Sequence, residues 1–166
     1  MSRVAIVTGA GKRVGRRLAE GLVEDGWTVV AHVRSDQDDV PPGALKVVAD
    51  LLHGADAASA ILSACPEPPR LLVNNAARFA EDRLEAFSAE ELQAHMAVNV
   101  AAPAFLTTAF AETGGEGDRL VINILDAKLA APNPDFLSYT LSKAALAELT
   151  ILSAQALAGR GIRVNG

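Results

Sequence analysis

Apolar residues along this chain fall into short continuous runs separated by amphipathic stretches. That is the pattern of strands buried on both faces alternating with helices. The first run, Val4-Ala5-Ile6-Val7, is rich in β-branched residues and leads straight into Thr8-Gly9-Ala10-Gly11-Lys12-Arg13-Val14-Gly15. From there Val14, Leu18, Leu22 and Val23 recur at helical spacing until Gly26, a suitable helix end. Further strands are expected over Thr28 to Val33, Ala44 to Ala49, Arg70 to Asn74 and Arg119 to Leu125, with a sixth beginning at Gly161. An Ala-rich helix is expected from Gly54 to Ala64, ended by Pro66. A longer one opens at the capping box Ser88-Ala89-Glu90-Glu91, with Leu92, Met96, Asn99 and Val100 along one side and a kink expected near Pro103. The run Ala144 to Ala158, free of Gly and Pro, predicts another helix. Ser35 to Gly43, with Pro41-Pro42, is too broken for one. The crossover into the third strand is therefore short, since a parallel connection usually takes about a dozen residues or more.

Composition narrows this to one α/β domain over residues 1–166, because half the residues are hydrophobic and only 4% aromatic. The net charge of −5 is spread among interspersed acids and bases, which gives no basic face for nucleic acid. Cys65 is the single cysteine and cannot form an internal disulfide, which fits a reducing cytosol. His32, His53 and His95 lie far apart without ligand-like spacing, so no metal is expected. The N-terminus enters a strand without a signal h-region. The longest apolar run, Val98 to Ala111, contains Asn99, Pro103, Thr107 and Thr108 and reads as too short to cross a membrane. A soluble, cytoplasmic protein with a small-molecule substrate is expected.

Candidate chemistry centres on Tyr139 and Lys143, which a helix projects from one face about a turn apart. An ammonium at that spacing is expected to lower the pKa of the phenol, otherwise near ~10. A packed ring beside a solvated amine is the plainer reading of the pair. The strand, Gly-rich turn and helix formed by Val4 to Val23 suit a dinucleotide pyrophosphate, with backbone N–H groups and the helix N-terminus facing the anion. The same turn would also serve as an ordinary βα connection. Where an acidic residue would hold a ribose 2′-hydroxyl, the second strand ends in Arg34-Ser35, which suits a 2′-phosphate and so NADP(H). Asp36, Asp38 or Asp39 could instead pair with Arg34. Asp50 could accept a bond from an adenine amine or cap the next turn, and Asn74-Asn75 stand at a strand's carboxyl end, where open α/β sheets bind ligands. Asn99, among apolar neighbours, is either a satisfied core amide or a polar group aimed at a site.

Together the Thr8–Gly15 turn, Asp50, Asn74-Asn75-Ala76, Asn99, and Tyr139 with Lys143 resemble the short-chain dehydrogenase/reductase family, in the family's order and over nearly the whole chain. The resemblance implies a Rossmann-like doubly wound parallel sheet with helices on both faces. It implies NADP(H) held by Gly9, Lys12, Arg13, Val14, Gly15, Arg34, Ser35, Asp50, Leu51, Asn75, Ala76, Ala77, Tyr139 and Lys143. Tyr139 would exchange the proton, Lys143 would hold the ribose and acidify the phenol, and Asn99 would support a relay water. Two departures stand out: Arg13 replaces the middle glycine of the turn TGxxxGxG, and Asp126 replaces the Ser upstream of the Tyr. Both resemble the pteridine reductase and dihydromonapterin reductase branch, as do His32-Val33-Arg34-Ser35 and Phe79. In that branch Arg13, Phe79, Asp126 and Tyr139 would meet the substrate, with Phe79 stacking on a pterin and Asp126 joining Tyr139 in protonation. A carboxyl group can exchange protons with a ring nitrogen and accept a bond from an exocyclic amine, which a Ser does less readily. Asp126 could equally cap a loop and Phe79 could be core. A carbonyl or alcohol oxidoreductase and a non-catalytic NADP(H)-binding protein are the alternative readings. Family members usually run longer and form a homo-oligomer, a tetramer or a dimer. The C-terminal part is expected to be absent from this chain, leaving apolar surface uncovered at the sixth strand.

Overall fold

Six strands make one wholly parallel sheet: β1 (Val4–Thr8), β2 (Thr28–Val33), β3 (Leu45–Val48), β4 (Leu71–Asn74), β5 (Arg119–Asn123) and β6 (Ile162–Asn165). Their order across the sheet is β3-β2-β1-β4-β5-β6, the doubly wound arrangement in which the winding reverses between β1 and β4. The computed structural model describes residues 3–115 and 117–166; the loop expected at Gly114 to Gly117 includes Glu116, which lies outside the described residues. Val4, Ala5, Ile6 and Val7 are wholly buried, because β1 pairs with β2 on one side and β4 on the other and is covered on both faces. That double cover is why the strand reads as a continuous apolar run.

The alternation of side chains along each strand divides the core in two. Val4, Ile6, Val30, Leu72 and Val121 pack with Ile61 of α2 (Gly54–Ser63) and with Leu106 and Phe110 of α4 (Ala102–Glu112). Val7, Val29, Ala31 and Val73 pack with Ala19, Leu18, Leu22 and Val23 of α1 (Arg13–Glu24). Val14 departs from the expected stripe and stands 57% exposed at the start of α1, beside the turn rather than on the core. No helix covers the link from β2 to β3, as its broken pattern suggested. Leu45 and Val48 of β3 are correspondingly exposed, and Lys46 between them guards that edge. Ile162 and Val164 of β6 are buried, so the bare surface expected at that strand is not found on its inward side.

The long helix is three pieces: α3 (Ala89–Met96), one π-helical turn (Ala97–Ala101) and α4. The expected kink is thus a widened turn placed just ahead of Pro103, which sits in the first turn of α4 and has no N–H to donate to the Asn99 carbonyl. His95 and Asn99 are buried on the inward face, while Leu92, Met96 and Val100 are only half-buried. Half of the capping box forms: Ser88 Oγ accepts the Glu91 N–H at 3.2 Å, but the Glu91 carboxylate turns away to Arg78. The whole run Ala89–Glu112 is 24 residues, longer than the apolar stretch within it and long and apolar enough by length and composition to cross a membrane, yet it lays Leu106 and Phe110 into the core. The last helix, α5 (Leu137–Leu157), carries Tyr139 and Lys143 into the interior and packs against β6 and α3.

Candidate active site

The turn after β1 is fastened to the end of β4. Thr8 Oγ1 accepts the N–H groups of Asn75 and Ala76, each at 3.0 Å, and Asn75 Nδ2 donates to Thr8 O at 2.8 Å and Gly9 O at 3.3 Å. The approach is so close that a Cβ on Gly15 would stand 2.3 Å from both Asn75 Nδ2 and Gly9 O. Arg13 adopts a left-handed backbone (φ 47) where the expected pattern has glycine, so the turn keeps its glycine-like shape while presenting a guanidinium. The Asn75 amide is consumed by this clamp, which leaves the backbone of the turn and the start of α1 as the anion-facing surface.

At the outer limb, two of the three acids considered as partners for Arg34, Asp36 and Asp38, are engaged elsewhere, and Asp39 forms no ion pair with Arg34 among the described residues. Lys12 Nζ pairs with Asp38 at 3.1 Å, a hydrogen bond that holds the Asp38 carboxyl below the usual carboxylate range, and Lys46 pairs with Asp36 at 3.4 Å. Arg34 is exposed and has no ion pair among the described residues, with the Ser35 hydroxyl beside it accepting the Gln37 N–H at 3.2 Å. This donor set fits a 2′-phosphate. His32 braces the turn from beneath: its Nδ1 accepts the Gly9 N–H at 3.3 Å and its Nε2 donates to Ala49 O at 3.0 Å. Burial lowers the His32 pKa and keeps the ring neutral. Asp50 caps the next turn through Oδ1 alone, which accepts the Leu52 N–H at 3.0 Å, and Leu51 beside it is buried in the core.

Across the sheet, Tyr139 donates its phenolic proton to Asp126 Oδ2 at 2.6 Å, and Asp126 Oδ1 accepts the Lys128 N–H at 2.8 Å. The hydrogen bond from Tyr139, helped by that from Lys128, lowers the Asp126 pKa. Tyr139 itself is raised above the ordinary tyrosine value, by burial first and then by the hydrogen bond and charge of Asp126. The expected acidification of the phenol by Lys143 is therefore corrected. The Lys143 ammonium donates to Ile124 O at 2.6 Å and lies 5.8 Å from the Tyr139 ring centroid, whereas the carboxylate is in direct contact with the hydroxyl. Burial lowers the Lys143 pKa, with Asp126 opposing.

Phe79 is 57% exposed, not core, and meets Tyr139 edge-to-face with centroids 4.7 Å apart. Its segment is held by two buried side chains of the long helix. Asn99 Oδ1 accepts the Arg78 N–H at 2.8 Å, and its Nδ2 donates to Arg78 O at 3.0 Å and Ser142 Oγ at 2.8 Å. The Asn99 side chain is thus a satisfied core amide, not one aimed into the site. His95, weighed from the sequence only as a metal ligand, accepts the Ala80 N–H on Nε2 at 3.2 Å. Its Nδ1 faces Glu91 O at 2.9 Å and Ser138 Oγ at 2.8 Å. Asp82 accepts the Ser138 N–H on Oδ1 at 3.0 Å and caps α5 one residue before Tyr139. The signal for His95 was its place one turn before Asn99 on the same helix face. Asp126, Tyr139, Lys143 and Phe79 therefore come together, Asn99 and His95 stand behind them, and Arg13, Arg34 and Ser35 form the separate limb along the turn.

The chain resembles known proteins over nearly its whole length. Residues 3–166 match the family model described as short chain dehydrogenase. The chain is 32% identical over 214 residues to pteridine reductase 1 of Leishmania tarentolae, covering 98% of this chain and 74% of that protein. It is 29% identical over 182 residues to L-2,3-butanediol dehydrogenase of Corynebacterium glutamicum, covering 99% of this chain and 70% of that protein. Among solved structures, FolM alternative dihydrofolate reductase 1 from Brucella canis, complexed with NADP, superposes with a TM-score of 0.83 at 36% identity, covering 98% of this chain and 71% of that one.

Proposed function

This chain belongs to the short-chain dehydrogenase/reductase family of oxidoreductases, and from that premise we propose that it reduces a C=N bond in a planar, pterin-like heterocycle at the expense of NADPH. The observation that carries the proposal is the 2.6 Å bond from the Tyr139 hydroxyl to Asp126, a carboxylate where the family pattern has a hydroxyl. The likeness to pteridine reductase 1 and to the NADP complex of FolM supports the same reading.

In this reading Gly9, Lys12, Arg13, Val14 and Gly15 hold the pyrophosphate, Arg34 and Ser35 the 2′-phosphate, Asp50 and Leu51 the adenine, Ala76 and Ala77 the adjoining ribose, and Tyr139 and Lys143 the second ribose. Bound NADPH supplies the hydride that goes to the substrate carbon. Tyr139, kept protonated by burial and by Asp126, gives its Oη proton to the substrate nitrogen, so that the C=N bond becomes CH–NH. Asp126, held as a carboxylate, accepts a bond from an exocyclic amine of the heterocycle and so orients the ring. Phe79 offers the exposed aromatic surface on which the ring stacks. The protein is further proposed to work in the cytoplasm as a homo-oligomer, and light scattering that finds only monomer would overturn that last part.

The second reading, reduction of a carbonyl or oxidation of an alcohol, is favoured by the likeness to L-2,3-butanediol dehydrogenase and by the bond from the Lys128 N–H to Asp126 Oδ1, which gives that carboxylate a structural role as well. Steady-state oxidation of NADPH with dihydrobiopterin, dihydromonapterin and simple ketones separates the two. Turnover of the dihydropterins is expected, and turnover of ketones alone would remove the proposal. NADPH binding without turnover of any of these would favour a non-catalytic role.

A further inference from the structure

Phe136 closes the loop between β5 and α5 and holds a left-handed backbone (φ 57, ψ 52), a conformation that bulky residues rarely adopt. That backbone lays its ring flat on Phe79, with centroids 4.3 Å apart and planes 12° from parallel. Phe79 in turn abuts Tyr139, so the chain's own aromatic ring covers a face of the surface next to the Tyr139–Asp126 pair. The loop that carries Phe136 is fastened at Lys128, whose Nζ donates to Asn133 Oδ1 at 2.6 Å and Asp135 O at 3.0 Å and lies 5.4 Å from the Phe136 ring centroid. Arg83 pairs with Asp135 at 3.3 Å and ties the loop back to the segment after Phe79.

We infer that Phe136 is a placeholder: in the free protein it fills the stacking face of Phe79, and a flat substrate takes its place there. The inference rests on the proposed role of Phe79 as the stacking surface. A planar heterocycle exchanges one stack for another, whereas an aliphatic carbonyl compound breaks the Phe79–Phe136 pair and replaces it with nothing. The placeholder thereby favours flat ligands and sets their affinity below what an open surface would give.

The test is the affinity of the full chain, with NADP⁺ present, for 2,4-diaminopteridine as a non-reducible flat probe. Phe136→Gly removes the ring and suits the left-handed backbone, and Phe136→Leu keeps apolar bulk but cannot stack flat. Both are expected to bind the probe about 2- to 10-fold more tightly, the range equivalent to losing one aromatic pair. Unchanged or weaker binding in both, with circular dichroism showing the native helix content, would overturn the placeholder. Phe79→Ala separates this from failure of the underlying reading. If that variant binds the probe as well as the parent, the stacking surface itself is wrong; if it binds more weakly while the Phe136 variants also weaken, only the placeholder falls.

Discussion

Replacing Asp126 with Asn is expected to make the Tyr139 phenol markedly easier to ionise. The substitution keeps the shape of the side chain and removes the charge that now receives the phenolic proton at 2.6 Å. A hydrogen bond to a charged group contributes about 1.5–3 kcal/mol, and in Tyr139 that energy favours the protonated phenol, because only the protonated form can donate. Burial also favours the neutral phenol, and the substitution leaves burial in place. The ionisation free energy should therefore fall by about 1.5–3 kcal/mol without returning fully to that of free tyrosine. The chain contains a single tyrosine, so the ultraviolet absorbance of tyrosinate reports on Tyr139 alone. In an alkaline titration of the parent, the phenol should ionise above the ~10 of free tyrosine, while Asp126→Asn ionises at clearly lower pH. Circular dichroism along the same titration separates ionisation from unfolding. A parent phenol that titrates at or below ~10 would refute the reasoning and restore Lys143 as the dominant neighbour.

Arg34→Ala should raise the KM for NADPH by about 10-fold or more, through loss of a charge-assisted bond to the 2′-phosphate, and leave the KM for NADH within about 2-fold; equal losses with both cofactors would remove Arg34 from that role. Gly15→Ala forces a Cβ to within 2.3 Å of Asn75 Nδ2 and Gly9 O, and urea unfolding should show a loss of about 1–3 kcal/mol together with lost NADPH binding. The His32 pKa is lowered by burial, so its contribution to stability is complete above the unfolded value of 6.5 and declines as pH falls below it, where the unfolded chain binds a proton that the folded chain does not. Melting temperature should accordingly drop on acidification below pH 6.5, and a His32→Gln variant should show a shallower decline over the same range.

The strands and the first turn were legible because their causes are local. Continuous β-branched runs mark strands covered on both faces, and Gly9 and Gly15 mark a backbone approach that nothing larger allows. Tyr139 and Lys143 were legible for the same reason, since one helical turn fixes their spacing. Contacts set by distant segments were not. The bond between His95 and Ser138 joins residues 43 positions apart, and only the folded packing of α3 on α5 brings them together. The direction of the Tyr139 pKa shift was misjudged because spacing along one helix shows Lys143 but not which neighbour from another segment reaches the hydroxyl first. Asn99 illustrates the converse: its burial was readable from its apolar neighbours, but the Arg78 backbone that satisfies it arrives from 21 positions away. Phe136 lying on Phe79 depends on a left-handed backbone that no propensity would assign to Phe.

The central claim, that Asp126 with Tyr139 suits this site to a heterocycle whose C=N nitrogen takes up the Tyr139 proton, meets its most direct test in the Asp126→Ser variant. The measurement is the ratio of kcat/KM for dihydrobiopterin to kcat/KM for a simple ketone, both with NADPH. The expected outcome is a fall in that ratio of about 10-fold or more, driven by loss of dihydropterin turnover while NADPH binding is retained. An unchanged ratio, or a variant that reduces dihydropterins as well as the parent, would contradict the account.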